Sequence, residues 1–508
     1  MELSIQISEF IGLLLIATVV GVIVKYIKLP YTIALVVVGL FAGLLRVFPE
    51  IKLTQDLIFF LVLPPLLFEG ALNMDLDNLK TNFRTISVLA IAGVIVSVIV
   101  TGYLVHYLLN IPLFFALLFG AMITPTDPVS VLATFRELGA PKKLTTIIEG
   151  ESILNDGTGI VIFSILLEMI RNSFDPLNGI LTFFFVVIGG AAVGLTIGYI
   201  SYKILGFIDD HQIEIAITLI VAFSTFILAE YLHVSGVIAV VAAGLVIGNY
   251  GTYFSMSPTT RIALVTFWGF FVFVINSIIF LLIGIDIHFD KILAFGSSIL
   301  LAIPAVLVGR AVATYSLLIS PITGERVSML WRNIIFWGGL HGTIPVALAL
   351  SLGDIPYRDE IASMTFGVVL FSLVFQGLSL EFVARKYFGR KDESRIRYES
   401  LIGRRIALKA SLEEIERMRR EGEIPGEIAE RLSQDIKALL ENISEELSSI
   451  LTEDIKKDVW LAAWRKVLLA QKSALRDAAR KDLISDEIAS NLMQEVDSEL
   501  EKEKEMGW

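Results

Sequence analysis

Apolar residues gather into thirteen blocks along the chain, at roughly 9–27, 31–47, 54–73, 83–109, 112–137, 145–170, 178–205, 212–231, 234–249, 261–286, 292–319, 327–351 and 360–387. Most reach the ~20 residues that carry a helix across ~30 Å of hydrocarbon. The blocks at 31–47 and 234–249 are short and rich in glycine. Beyond residue 388 the pattern changes. Apolar positions there recur three or four apart among charges, as in Leu412, Ile415 and Met418, or Leu432, Ile436, Leu439 and Leu440. That is a helical period, and Pro425-Gly426 and the stretch around Ser485 separate one helix from the next. Trp460 and Trp464 fall on one helix face, which predicts a place in a helix-bundle core. The pattern predicts an all-α polytopic membrane protein with about thirteen transmembrane helices at 1–388 and a charged helical domain at 389–508.

Composition sharpens this division. The 508 residues are 55% apolar with a mean hydropathy of +0.74, above the range of soluble proteins. Residues 1–388 hold 19 Lys/Arg and 25 Asp/Glu, whereas 389–508 hold 22 and 27. No cleavable leader is expected, because residues 9–24 lack a basic start and a small-residue cleavage site. Basic residues mark the cytoplasmic loops of membrane proteins. They number fourteen on one side, from Lys25 and Lys28 through Arg136 to Arg390 and Lys391, against Arg46, Lys52, Arg171, Lys291 and Arg358 on the other. The N-terminus is therefore expected outside and the tail in the cytoplasm of an inner, or cell, membrane.

Several function classes drop out. With no cysteine there is no thiolate metal site and no thiol nucleophile. The five histidines, His106, His211, His233, His288 and His341, show no metal-binding spacing. The tail has no phosphate-cradling glycine loop and no triad. No enzyme, no cofactor and no nucleic-acid partner is expected; membrane lipid is.

Two blocks are interrupted. Thr124-Pro125-Thr126-Asp127-Pro128 carries two prolines three apart, and proline withdraws a backbone donor from a helix. Gly342-Thr343-Ile344-Pro345 interrupts the twelfth block. A shift of seven blocks also superposes the text Thr32–Gly43 on Val237–Gly248. An odd shift reverses direction, so inverted six-helix repeats with two broken crossing helices are expected. That is a carrier's architecture, with its ion site where the helices break.

The charges nearest the breaks supply the chemistry. Ionisable residues at membrane depth are costly and mark functional sites. Asp156 is the foremost candidate: one carboxylate that holds either a proton or a small cation, but not both, is the core of an exchanger. Hard oxygen donors suit Na⁺, and Asp127, Ser152, Thr126 and Glu69 offer them. Ser152 and Asp156 lie four apart on one helix face. Asp127 could equally cap the helix that follows it, and Glu69 could serve as a ligand or as a charge in an entry funnel. Glu230 and Asp286 fall near block ends, where hydrated structural roles are expected. Glu151 shares a face with Asn155 and needs a partner. Arg310, deep in the eleventh block, is the economical one, the alternative being a counter-charge at the ion site.

Leu63-Pro64-Pro65-Leu66-Leu67-Phe68-Glu69-Gly70, Thr126-Asp127-Pro128, Glu149-Gly150-Glu151-Ser152 with Asn155-Asp156-Gly157, and Trp337-Gly338-Gly339-Leu340 together resemble the monovalent cation:proton antiporter-1 family of sodium/proton exchangers. The resemblance covers about residues 5–388 and leaves the tail unmatched. It implies thirteen spans, a six-helix core that moves against a dimerisation domain, and a homodimer. It implies that Asp156 carries the transported ion with help from Asp127, Ser152, the Thr126 carbonyl and Glu69. Asn155 stands where electrogenic relatives carry a second aspartate, which implies electroneutral exchange, and Glu151 and Arg310 match the family's structural ion pair. His341 stands where many members carry arginine, so a pH response of that position is this chain's own. The resulting expectation is 1:1 Na⁺ (or Li⁺) for H⁺ exchange by alternating access, serving pH homeostasis. The alternatives are a K⁺/H⁺ antiporter of the same fold and a cation channel gated by the tail, whose own partner or ligand is unknown.

Overall fold

The computed structural model describes residues 2–506 except 28–30, 46–55, 173–175, 209, 253–255, 286–288, 320–322, 324–326, 389–392, 451–452 and 481–482. Lys28, Arg46, Lys52, Asp286, His288, Arg390 and Lys391 lie outside the described residues. No strand occurs among the described residues. The chain forms two compact units, residues 1–389 and 390–508.

The first unit holds seven helical stretches long and apolar enough to cross a membrane: 76–109, 142–171, 181–205, 211–231, 259–285, 296–319 and 358–388. Five shorter apolar stretches accompany them, at 10–24, 31–44, 57–73, 113–123 and 236–251. In chain order the helices are α1 (Glu2–Ile27), α2 (Tyr31–Leu44), α3 (Leu63–Asn73), α4 (Leu76–Ser87), α5 (Val94–Leu109), α6 (Leu113–Ile123), α7 (Val129–Leu138), α8 (Lys142–Asn172), α9 (Pro176–Leu205), α10 (His211–Tyr231) and α11 (Gly236–Val246). There follow α12 (Pro258–Ile285), α13 (Phe289–Ala294), α14 (Gly296–Ile319), α15 (Met329–Trp337), α16 (Thr343–Leu350), α17 (Arg358–Phe371) and α18 (Gly377–Phe388).

Element ends differ from the apolar pattern where polar chemistry intervenes. The fourth block begins seven residues early, at Leu76, because Asp75 caps α4: its Oδ1 accepts from the N–H groups of Asp77 and Asn78 at 3.0 and 3.1 Å. The block at 292–319 is divided by a turn at Phe295 into α13 and α14. Ahead of α3, residues 57–62 form wider π-helical turns. Pro64 and Pro65 follow there and cannot donate back to Phe60 and Leu61, so the regular ladder is lost.

The two interruptions expected at the prolines and glycines are present. Residues 124–128 between α6 and α7 are not helical, nor are residues 338–342 between α15 and α16. The two segments touch, as the N–H of Asp127 donates to the carbonyl of Leu340 at 2.7 Å. Backbone freed in this way is tolerated at membrane depth only inside protein or beside a cavity. Helix α8 runs alongside, packed by α4, α6, α9 and α11.

The second unit comprises α19 (Glu393–Arg420), α20 (Gly426–Ile450), α21 (Glu453–Arg480) and α22 (Asp486–Met506). Its breaks fall at Pro425 and Ser485, as the sequence indicates. One expectation is overturned. Trp460 and Trp464 stack at 5.8 Å but remain 56% and 39% exposed rather than filling a core. Among the described side chains of α21, Leu468 is the buried one, about 40° around the helix from Trp464 and 80° from Trp460 at 100° per residue.

Candidate ion site

The first interruption is fastened to the polar face of α8 through Thr126. Ser152 Oγ donates to the carbonyl oxygen of Thr126 at 2.5 Å. Asn155 Nδ2 donates to Thr126 Oγ1 at 2.9 Å and to Glu151 Oε1 at 3.1 Å, while its Oδ1 accepts from the Thr126 N–H at 3.4 Å. Asp127 Oδ1 accepts from the N–H of Val129, the first residue of α7, at 2.9 Å, from the position before the N-cap Pro128. The second interruption closes over the first. At Gly342 a Cβ would stand 2.5 Å from Asp127 Cβ, so only glycine allows this approach.

A cavity of about 340 Å³ reaches this junction. Exposed Asn73 and Arg136 line it at one end, and buried Asp156 and Ser152 at the other. Asp127 and Glu69 lie along it, with Asn73 Nδ2 donating to Glu69 Oε1 at 2.7 Å. Asp156 is only 7% exposed, and its Oδ1 has no hydrogen-bond partner among the described residues. A buried carboxylate oxygen left without a donor is expensive. A proton or a cation at that oxygen would relieve the cost. Around it stand the donors a hard cation takes: carboxylate, hydroxyl and carbonyl oxygens.

Of the residues expected at the site, Asp156, Asp127, Ser152, Thr126 and Glu69 all line this cavity. Asn155, Glu151 and Arg310 stand behind it and do not line it. Arg310 Nη1 and Nη2 lie 3.2 and 3.3 Å from the two oxygens of Glu151. Its Nη2 also donates to the carbonyl of Ile335 at 3.1 Å. This engages the guanidinium away from the cavity and against the counter-charge alternative. His341 is 3% exposed and outside the cavity lining, and its N–H donates to Ser372 Oγ at 3.0 Å. Glu230 accepts from the N–H of Gly236 at 3.4 Å.

Sequence reasoning missed Glu149, Arg136 and Asn276 as lining residues. Glu149 was within reach, since it lies three residues before Ser152 and so on the face of α8 that carries Asp156. Asn276 comes from α12, more than a hundred residues away, and no local signal points to it.

A second cavity, of about 590 Å³, meets the opposite stretch of α8. Ile160, Phe163, Ser164, Leu167 and Arg171 line it from that helix, facing Phe59, Phe60, Phe226, Glu230, Leu348 and Ser351. Residues 152, 156, 160, 163, 167 and 171 follow one another at three- and four-residue steps. One face of one helix thus borders both cavities, and a single turn, about 6 Å of rise, separates Asp156 from Ile160.

The transmembrane sodium/hydrogen exchanger family model matches residues 13–386. The chain is 39% identical over 432 residues to the low-affinity Na⁺/H⁺ antiporter NhaS1 of Synechocystis sp., with 82% of each chain covered. It is 34% identical over 494 residues to the Na⁺/H⁺ antiporter NhaG of Bacillus atrophaeus, covering 94% of this chain and 93% of that one. Its fold is like that of the sodium proton antiporter MjNhaP1 of Methanocaldococcus jannaschii, with a TM-score of 0.66 at 23% identity over 77% of this chain and all of the other. The helical unit with two touching interruptions, the carboxylate between two cavities and these matches agree: the chain belongs to the sodium/hydrogen exchanger family.

Proposed function

We propose that this protein exchanges Na⁺ for H⁺ across the cell membrane, one for one, with cation and proton competing for Asp156. The observation that carries the reading is the buried Asp156 carboxylate, which has an unpartnered oxygen and borders a cavity beside two unwound segments. A carboxylate here cannot remain charged and bare, so it is neutralised either by a proton or by a cation. Asp127, Ser152, the Thr126 carbonyl and Glu69 complete the cation's oxygen shell; Ser152 and Thr126, bonded to each other, each keep a free lone pair for it.

Electroneutral exchange follows from Asn155. The residue beside Asp156 is a neutral amide, committed to Thr126 and Glu151, so one titrating charge serves one cation. Alternating access is supported by the two cavities on one face of α8. The cavity holding Asp156 opens beside Arg136, on the side that the basic residues mark as cytoplasmic. The other opens beside Arg171 on the outer side. Moving α8 and the two interrupted helix pairs by about one turn would pass Asp156 from one to the other. The interrupted pairs are the matched parts of an inverted repeat. The N-terminus is outside, the tail is inside, and the protein works as a homodimer.

The experiment is Asp156→Asn in proteoliposomes that carry an internal pH dye, with Na⁺, Li⁺ and K⁺ added in turn. Loss of every cation-driven pH change in a folded variant is expected. Wild-type exchange by Asp156→Asn would remove the site, and a response to K⁺ above that to Na⁺ would assign the carrier to potassium.

A further inference from the structure

The cavity that reaches Asp156 has two sides. On one stand α3, α8 and the two interruptions, with the oxygen donors already described. On the other stand α2 and α12. This second side is held firmly together. A Cβ on Gly39 would fall 2.2 Å from the carbonyl oxygen of Leu281, and one on Gly284 would fall 2.3 Å from that of Val36, so α2 and α12 touch backbone to backbone. Phe273 also stacks on Tyr31, with ring centres 5.2 Å apart.

The polar side chains that α2 and α12 give to the cavity are Tyr31, Thr32 and Asn276. The first two are engaged. Tyr31 Oη donates to the carbonyl of Ala17 at 3.2 Å and lies 2.8 Å from Ser277 Oγ, and Thr32 Oγ1 bonds to Ser130 Oγ at 2.5 Å. Asn276 is the exception. It is 8% exposed, and its amide makes no hydrogen bond among the described residues. An amide buried without a partner is costly, and this one borders the same space as the unpartnered oxygen of Asp156. The two also sit at corresponding places. The lining stretch of α8 runs over residues 149–156 and that of α12 over 269–276, which are equal in length. Three crossings, α9, α10 and α11, separate these helices, so both run in one direction through the membrane. Asp156 is the last residue that α8 gives to the cavity and Asn276 the last that α12 gives, each at the end remote from Arg136.

We propose that Asn276 is a ligand of the transported cation while Asp156 faces the inner cavity, with its amide oxygen turned to the ion. Amide oxygens are among the donors that hard cations take, and they bring no charge. One cation therefore still balances one carboxylate. A proton on Asp156 needs no such shell, so the contact favours the cation where the two compete. In the exchange read above, α8 and the interrupted helix pairs move, whereas α12 stays with α2. The contact is thus made in the inward-facing state alone and raises cation affinity on the inner face only. It rests on the reading of Asp156 and of alternating access given above.

The test is the Na⁺ dependence of proton flux in two kinds of membrane vesicle holding the full chain. Everted vesicles present the cytoplasmic face to added Na⁺, and right-side-out vesicles present the outer face. Asn276→Leu keeps the shape of the side chain and removes its oxygen, whereas Asn276→Asp keeps both. For Asn276→Leu, the KM for Na⁺ in everted vesicles should rise about fivefold or more, the usual worth of one neutral polar contact. Its KM in right-side-out vesicles and its maximal rate should be those of wild type. Asn276→Asp should show an inner KM at or below the wild-type value. Asn276→Ala, which also lacks the oxygen, takes the place of the leucine variant should leucine disturb folding. An inner KM that does not change, as a water resting on the amide would give, overturns the contact. So does a rise that is equal on both faces or confined to the outer one, or an inner KM for Asn276→Asp as high as that for Asn276→Leu. Exchange by Asp156→Asn in the same vesicles overturns the Asp156 reading and this contact with it, whereas an inactive Asp156→Asn beside an unaffected Asn276→Leu overturns the contact alone.

Discussion

Arg310 and Glu151 meet in a two-pronged ion pair, Nη1 to Oε1 at 3.2 Å and Nη2 to Oε2 at 3.3 Å, with side chains 13% and 6% exposed. The pair spans α14 and α8 and lies next to the carbonyls of Ile335 and Phe336, which also accept from Arg310. It therefore fixes the end of α15, where the second interruption begins. Gly339 makes room for it, since a Cβ there would come within 1.9 Å of Arg310 Nε. Breaking a buried pair from one side leaves an uncompensated charge, at a cost of about 3–5 kcal/mol. Glu151→Gln and Arg310→Met should each lower the unfolding midpoint of the detergent-solubilised protein. The double variant should recover much of that loss, because two neutral side chains leave no bare charge behind. Single variants as stable as wild type would take away the pair's structural role.

Gly342 offers a test of the junction that leaves every ionisable residue in place. Its φ of −112° is not in the left-handed region. The neighbour demands glycine, with Asp127 Cβ at 2.5 Å and Oδ2 at 2.8 Å from the position of an added Cβ. Gly342→Ala should therefore push the Asp127 carboxylate out of place and leave the fold intact. A drop of about tenfold or more in Na⁺-driven proton flux is expected, equivalent to about 1.4 kcal/mol, with an unfolding midpoint near that of wild type. Full exchange by this variant would show that the position of Asp127 is unimportant to transport.

Much of this site is legible in the sequence because rare residues are loud in an apolar text. Prolines at 125 and 128 announce the first interruption, and a lone Arg310 in an apolar helix demands an acid, which Glu151 supplies. The spacing of Ser152 and Asp156 fixes their common face. What the sequence leaves hidden depends on contacts between distant segments. Nothing local says that Leu340 accepts from Asp127, that Asn276 reaches the cavity, or that two cavities share one face of α8. In the tail, helical spacing locates the elements but not the buried side. Trp460 and Trp464 are apolar and share a face, yet both stay exposed while Leu468, one turn beyond Trp464, is buried. Apolar character alone does not distinguish a core face from an uncovered one.

Asp75 governs how the exposed turn between α3 and α4 responds to acid. Its carboxylate accepts from Asn78 and Asp77 backbone donors, and Lys142 Nζ stands 3.2 Å from Oδ2. Chiefly the Asn78 N–H, with Lys142 and the Asp77 N–H, holds this group below the ordinary aspartate value against the opposing effect of burial. A value depressed in the folded state means that the ionised cap stabilises the fold. The contribution is complete above the unfolded value, near 3.9, and is lost as pH falls through the lower folded value. Asp75→Ala should cost about 1 kcal/mol at pH 7, the usual worth of an N-cap, whereas Asp75→Asn, itself a good cap, should cost less. Unfolding midpoints of wild type and Asp75→Ala, followed from pH 7 down to about pH 3, should converge at the acid end. A gap that stays constant or widens on acidification would mean that the ionised carboxylate is not what stabilises the turn.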